Sequence, residues 1–303
     1  MLGLKAQNGA GTSSKEKKQM IKTEHSRRNF LQAVGVGAAC LAGTGSCLAQ
    51  AGNAGKKKSQ AKFELGLASY TLREFNLDDT LAMTKRVGLK YICFKSMHLE
   101  LDSTPAQISE TVQKVKDAGL ILYGGGVIYM KNEKQVNEAF DYAKAAGMKI
   151  IVGVPMPELL PLVNEKVKQY DIKVGIHNHG PTDKVYPTPA SAYEKIKDLD
   201  KRIGLCNDIG HTMRSGIDPS VSARKYADRL LDVHIKDVSE ATAKGGAVEV
   251  GRGVIDIPKF LETLINIKFD GVVSFEYEKD GKDPMAGLAE SVGYVKGVLA
   301  AIG

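Results

Sequence analysis

Four polar residues fall at the ends of four successive strand-like runs. His177 closes KVGIH, Asp208 closes IGLCND, His234 lies in LLDVHIKD and Glu276 closes GVVSFE. In a chain of βα units that closes into a barrel, the C-terminal strand ends converge on one mouth, where catalysis takes place. Two imidazoles and two carboxylates meeting there would hold a divalent cation. A second reading stands beside each: a helix-capping carboxylate for Asp208, a core histidine for His234. His177 and His179 share one side of their strand and Asn178 takes the other. His177 is assigned to the metal and His179 to the substrate. A ligating imidazole needs an acceptor behind it to fix its tautomer, and Asp183 or Asp237 could serve. With Glu276 pointing inward, alternation turns Tyr277 outward and Glu278 inward again.

The elements that must position these residues alternate without interruption from Phe63. Strand-like runs cover 63–69, 91–94, 120–125, 150–154, 173–178, 203–208, 231–236 and 271–275. Helical patterns cover 77–87, 105–118, 133–146, 157–170, 189–199, 219–227, 257–267 and 285–302. Ser103-Thr104-Pro105, Thr188-Pro189 and Asp218-Pro219 place a capping side chain before a helix-starting proline. Gly88, Gly119 and Gly147 stand where a left-handed C-cap belongs. Eight βα repeats demand parallel strands and right-handed crossovers. The expected fold is a (β/α)8 TIM barrel over 62–303. No Gly-rich phosphate turn follows the first strand, as an open dinucleotide-binding sheet would require. Gly124-Gly125-Gly126 should let backbone approach the mouth, and the long connection from Asp237 to Ile255 should cover the substrate.

The chain has 303 residues, 43% hydrophobic and 25% charged, enough for one large core. Its formal charge of +7 sits in the leader: residues 1–58 hold ten Lys/Arg against Glu16 and Glu24, a net +8, which leaves −1 for the rest. A near-neutral domain offers no electrostatic case for nucleic acid. Ser26-Arg27-Arg28-Asn29-Phe30-Leu31-Gln32 resembles the twin-arginine export signature. An apolar Gly/Ala-rich stretch and a small-x-small site at Ala49-Gln50-Ala51 follow. Residues 1–51 are therefore expected to be a signal peptide for periplasmic or other export, and 52–61 a linker. No stable membrane span is expected after processing. Cys47 is a poor match to a lipid-anchor cysteine. Cys93 and Cys206 lie in non-adjacent strands and read as buried core residues.

The ordered set Asn207-Asp208-Ile209-Gly210-His211, His234-Ile235-Lys236-Asp237, Gly251-Arg252-Gly253-Val254-Ile255-Asp256 and Phe275-Glu276 is similar to that of the xylose-isomerase-like sugar isomerase/epimerase superfamily, which includes endonuclease IV-type enzymes. The resemblance spans about 63–303. It implies that Asp208, His234 and Glu276 bind metal, that His211 hydrogen-bonds the sugar near its carbonyl, and that Glu276 is one of two proton-shuttling glutamates. Relatives often carry Glu-Asn-His where this chain has His177-Asn178-His179. One glutamate of the pair is thus replaced by His177, which can act as the second acid or base near neutral pH. Lys95, His98, Lys236 and Arg252 are further candidate substrate contacts, each readable as a salt-bridged rim residue.

The expected activity is metal-dependent isomerisation or epimerisation through proton abstraction beside a carbonyl. Export points to an unphosphorylated sugar or keto-sugar. The alternative is a lyase, eliminating across a 3-keto-glycoside or dehydrating a keto-inositol. A carbohydrate-binding protein without turnover is the third reading. One divalent ion is expected from Mn, Zn, Co or Mg, with Mn or Zn favoured by the histidines. The partner is a small-molecule carbohydrate, and a homo-oligomer is compatible with the sequence.

Overall fold

The computed structural model describes residues 60–302. The expected export signal at 1–51, with Cys40 and Cys47, and all but the end of the expected linker lie outside the described residues. The chain runs β1 (Glu64–Ala68), α1 (Leu77–Arg86), β2 (Tyr91–Phe94), α2 (Pro105–Asp117), β3 (Ile121–Met130), α3 (Glu133–Ala145), β4 (Ile150–Pro155), α4 (Leu160–Tyr170), β5 (Lys173–His177) and α5 (Pro189–Ile196). It continues β6 (Ile203–Asp208), α6 (Ile209–Arg214), α7 (Pro219–Lys225), β7 (Leu230–Ile235), β8 (Asp237–Val238), β9 (Ala247–Val248), α8 (Ile257–Asn266), β10 (Val272–Phe275) and α9 (Met285–Ile302).

Eight parallel strands close in the order β1-β10-β7-β6-β5-β4-β3-β2, the expected TIM barrel. Helix boundaries follow local chemistry. Thr104 and Gln107 form a capping box before α2, and Thr188 with Ser191 does the same before α5. Gly88, Gly119 and Gly147 take φ of 71°, 76° and 69°, the left-handed C-caps their positions implied. Cys93 and Cys206 are free and buried. Helix α9 is long and apolar enough to cross a membrane by composition, yet it buries Leu288, Val292 and Val295 in the same core as the strands.

Three expectations about local structure change. Residues 157–159 form a 3-10 turn that only then enters α4. Two elements carry too few residues to show periodicity: α6, started by the Asp208 cap, and the β8–β9 hairpin inside the long connection. The glycine run lies within β3 rather than at a mouth loop. It permits close strand packing: a Cβ at Gly124 would press on Ile150 and one at Gly126 would run into the Val152 carbonyl.

Arg229 clamps the barrel floor. Its buried guanidinium donates to the carbonyls of Asp200 and Ile203 at 2.8 Å each and of Lys197 and Leu199 at 2.6 Å each. Methionine would fill much of the space and leave these acceptors unpaired. Arg229→Met is expected to cost about 3 kcal/mol, a fall in melting temperature of roughly 6–12 °C. A fall below about 2 °C in thermal unfolding would show that the carbonyls find other donors.

Candidate metal centre and active site

Register brings the four strand-end residues to one level. Asp208 pairs with His234 across β6–β7, and Ser274, two residues before Glu276, pairs with the same His234 across β7–β10. His177 Nε2 lies 3.1 Å from His234 Nδ1, 3.4 Å from Asp208 Oδ2 and 3.9 Å from Glu276 Oε2. His234 Nδ1 lies 3.2 Å from Glu276 Oε2. All four side chains are buried, with one donor atom from each within 4.8 Å of the others. The two readings of Asp208 meet in one carboxylate. Its Oδ1 accepts from the His211 amide at 2.8 Å and starts α6, while its buried Oδ2 faces the cluster. Asn178 ties the same strand end down, accepting from the Asp208 amide and donating to its carbonyl.

These residues fit a divalent ion. Tetrahedral bonds of about 2.0–2.2 Å separate donor atoms by roughly 3.3–3.6 Å, and the separations of 3.1–3.9 Å among these atoms bracket that spacing. Burial pulls the His177 imidazole down to about 3, so it is neutral and offers a lone pair. Burial opposes ionisation of Asp208, but His211, Lys236 and His177 hold it far below the usual carboxylate range. Glu276 is likewise held low against burial by Lys236 and His234. Burial would lower His234, yet Glu276, Asp232 and Asp208 raise it.

Lys236 sits within this cluster rather than on the cavity wall. Its buried Nζ is 2.9 Å from Asp208 Oδ2, 2.8 Å from Glu276 Oε2 and 3.1 Å from Glu278 Oε1. The expected substrate contact is thus an internal counter-cation. Two other expected contacts are also elsewhere. His98 is buried against Thr80 Oγ1 at 2.9 Å, Ser69 Oγ at 2.9 Å and the Phe75 carbonyl at 3.1 Å, joining β1's exit to α1. Arg252 is exposed and pairs with Glu290 on α9.

Neither expected acceptor reaches His177. Asp183 Oδ1 accepts from the Val185 and Tyr186 amides, and its other oxygen is 3.8 Å from His179 Nδ1. Asp237 accepts from the amides of Val238, Gly251, Gly253 and Ile255. It folds the 237–255 connection back on itself, and no residue of that connection lines the cavity above the cluster. The acidic group behind the cluster is Asp232, whose Oδ2 lies 3.8 Å from His234 Nε2 and whose carboxyl burial pushes up to about 7.

That cavity, of about 350 Å³, is lined by Tyr70, Lys95, Val127, Tyr129, His177, His179, His211, Glu276 and Glu278. Lys95, His179 and His211 therefore stand where a substrate would touch them. Arg214 Nη1 lies 3.2 Å from His211 Nδ1. Guanidinium can only donate, so Nδ1 accepts and His211 keeps its proton on Nε2. Tyr129 stacks on His179 with ring centroids 5.7 Å apart, its hydroxyl 3.1 Å from Nε2. Alternation from Glu276 could have nominated Glu278. Tyr129 was hidden by the extension of β3 past the glycines, and Tyr70 lies in a 3-10 turn with no periodic signal.

The sequence matches the family model of the xylose isomerase-like TIM barrel over residues 76–298. The chain belongs to this family. An inosose dehydratase of Lacticaseibacillus casei is 26% identical over 136 residues, 40% of this chain and 45% of that protein. The matches thus span less than half the length of the curated relatives. An uncharacterised protein from Parabacteroides distasonis is 25% identical, with a TM-score of 0.63 over 78% of this chain and 99% of that one. The 3-keto-D-glucoside 4-epimerase of E. coli shares the fold, with a TM-score of 0.63 at 16% identity over 78% of this chain and all of that one (100%).

Proposed function

We propose that this family member is a metal-dependent lyase that removes the proton beside the carbonyl of an unphosphorylated cyclic keto-sugar or keto-polyol and expels the β-oxygen. The observation that carries this reading is the asymmetry of the cavity. Its carboxylates, Glu276 and Glu278, come from one strand end, while His179 lies two residues past β5 and Tyr129 on β3. One side is built to take a proton and the other to give one. The dehydratase among the relatives supports the same class. The same pair of carboxylates disfavours a phosphate group.

His177, Asp208, His234 and Glu276 would hold the ion. When bound, a divalent ion supplies Lewis-acid polarisation of the carbonyl. Glu276, kept ionised by Lys236, is the base. As the C–H bond breaks, its electron pair forms the new C=C bond and the β C–O bond breaks. The departing oxygen takes its proton from the His179–Tyr129 pair. The Nε2–H of His211 orients the carbonyl oxygen.

Return of the proton to the same carbon from the His179 side would instead give an epimer. The test is full-length protein reconstituted with Mn or Zn and given an inosose or a 3-keto-glucoside in D₂O. The expected result is loss of water or aglycone with formation of the unsaturated product. Deuterium incorporation without elimination would replace the lyase with an epimerase. No exchange and no elimination would remove the enzymatic reading.

A further inference from the structure

A second cavity adjoins the first. It measures about 240 Å³ and shares Lys95, Val127 and Tyr129 with the polar cavity above the metal cluster. Its remaining wall is largely apolar, from Phe94, Leu99, Leu101, Ile128 and Tyr142. An apolar cavity of about 150 Å³ accepts a benzene ring. Two of its lining residues, Leu101 and Tyr129, are large hydrophobic side chains left exposed, at 38% and 46%. Exposed apolar side chains gathered at one mouth mark a binding surface. Lys95 stands at the junction, its Nζ donating to the Val127 carbonyl at 2.8 Å and lying 5.8 Å from the centre of the Tyr129 ring.

We infer that the substrate is a glycoside with an apolar, ring-bearing aglycone: the oxidised sugar ring lies in the polar cavity, and the aglycone lies in the apolar cavity beside it. Adjacency carries the assignment. Across the shared residues Lys95, Val127 and Tyr129, the carboxylates and imidazoles of one cavity give way to Phe94, Leu99 and Ile128 of the other. A free keto-polyol would fill only the first chamber. The inference rests on the proposed lyase reading, in which the aglycone is the leaving group and departs as its alcohol or phenol. The class of reaction that must supply this substrate is oxidation of the 3-hydroxyl of an intact glycoside.

The experiment compares phenyl and methyl 3-keto-β-D-glucosides with the full-length, metal-loaded protein and its Leu101→Glu variant. Leu101 is part-exposed at the rim and outside the metal cluster, so the variant retains its fold. The phenyl glycoside is expected to show kcat/KM at least tenfold above the methyl glycoside. Leu101→Glu should remove most of that ratio, the loss falling chiefly on the phenyl glycoside. Equal turnover of both by the unaltered protein, or a preference that survives Leu101→Glu, would overturn the aglycone assignment and leave the lyase reading standing. If only an inosose reacts, the lyase reading stands and the aglycone assignment is overturned. If neither glycoside is turned over and an inosose is not dehydrated either, the lyase reading falls. Calorimetry with phenyl and methyl β-D-glucoside then decides the cavity: tighter phenyl binding, lost in Leu101→Glu, supports it, and equal binding overturns it.

Discussion

Asp208→Asn is expected to abolish stoichiometric binding of a divalent ion and to lower turnover by roughly 10³-fold or more, while the barrel stays folded. The asymmetry of the two carboxylate oxygens is the reason. Oδ1 accepts from the His211 amide and starts α6, and an asparagine carbonyl oxygen can do the same. The amide nitrogen then replaces Oδ2, putting N–H donors where the cluster offers a lone pair. It also faces the Lys236 ammonium, 2.9 Å from Oδ2 in the native chain. Loss of an ion that stabilises developing charge by several kcal/mol converts to about three decades at 1.36 kcal/mol each. Elemental analysis of native and variant protein, with turnover on the same samples, checks this. Full retention of the ion with less than tenfold loss would remove Asp208 from the metal site.

The fold was legible because eight βα units each carry their own punctuation. Thr104, Thr188 and Asp218 announce helix starts, and Gly88, Gly119 and Gly147 announce helix ends, without reference to the rest of the chain. The gathering of His177, Asp208, His234 and Glu276 was legible for a related reason. His177, Asp208 and Glu276 terminate strand patterns, and a closed barrel converts strand-end position into proximity. The expected contacts that lie away from the cavity are those whose partners come from distant segments. His98 is satisfied by Ser69, Phe75 and Thr80, and Arg252 by Glu290 on the last helix. A pattern of residue types along the chain does not contain those pairings. Asp237 shows the same limit: its motif position is conspicuous, but its role is to bind four amides of its own loop. Lys236 lies two residues past His234, so alternation turns it toward the same interior. Its ion pairs with Asp208, Glu276 and Glu278 depend on the closure of β6, β7 and β10.

That position gives Lys236→Met the second large effect, with opposite signs for the metal-free and metal-loaded protein. Without the ammonium, the buried carboxylates of Asp208 and Glu276 lose the cation 2.9 Å and 2.8 Å from them. Removing one partner of a buried ionic cluster costs about 3–5 kcal/mol, because charge is left unpaired in a low dielectric. The metal-free variant is therefore expected to melt roughly 10 °C below the native chain, at about 2–4 °C per kcal/mol. A divalent ion supplies the missing positive charge at the same two oxygens and no longer meets a competing cation. Binding only to the folded state, it stabilises by mass action. Its stabilising shift in melting temperature should exceed the shift it gives the native protein, and its dissociation constant should fall. Equal metal-free stability of the two proteins would show that Asp208 and Glu276 do not need Lys236. A weaker ion in the variant would show that the ammonium orders the carboxylates for the metal instead of competing with it.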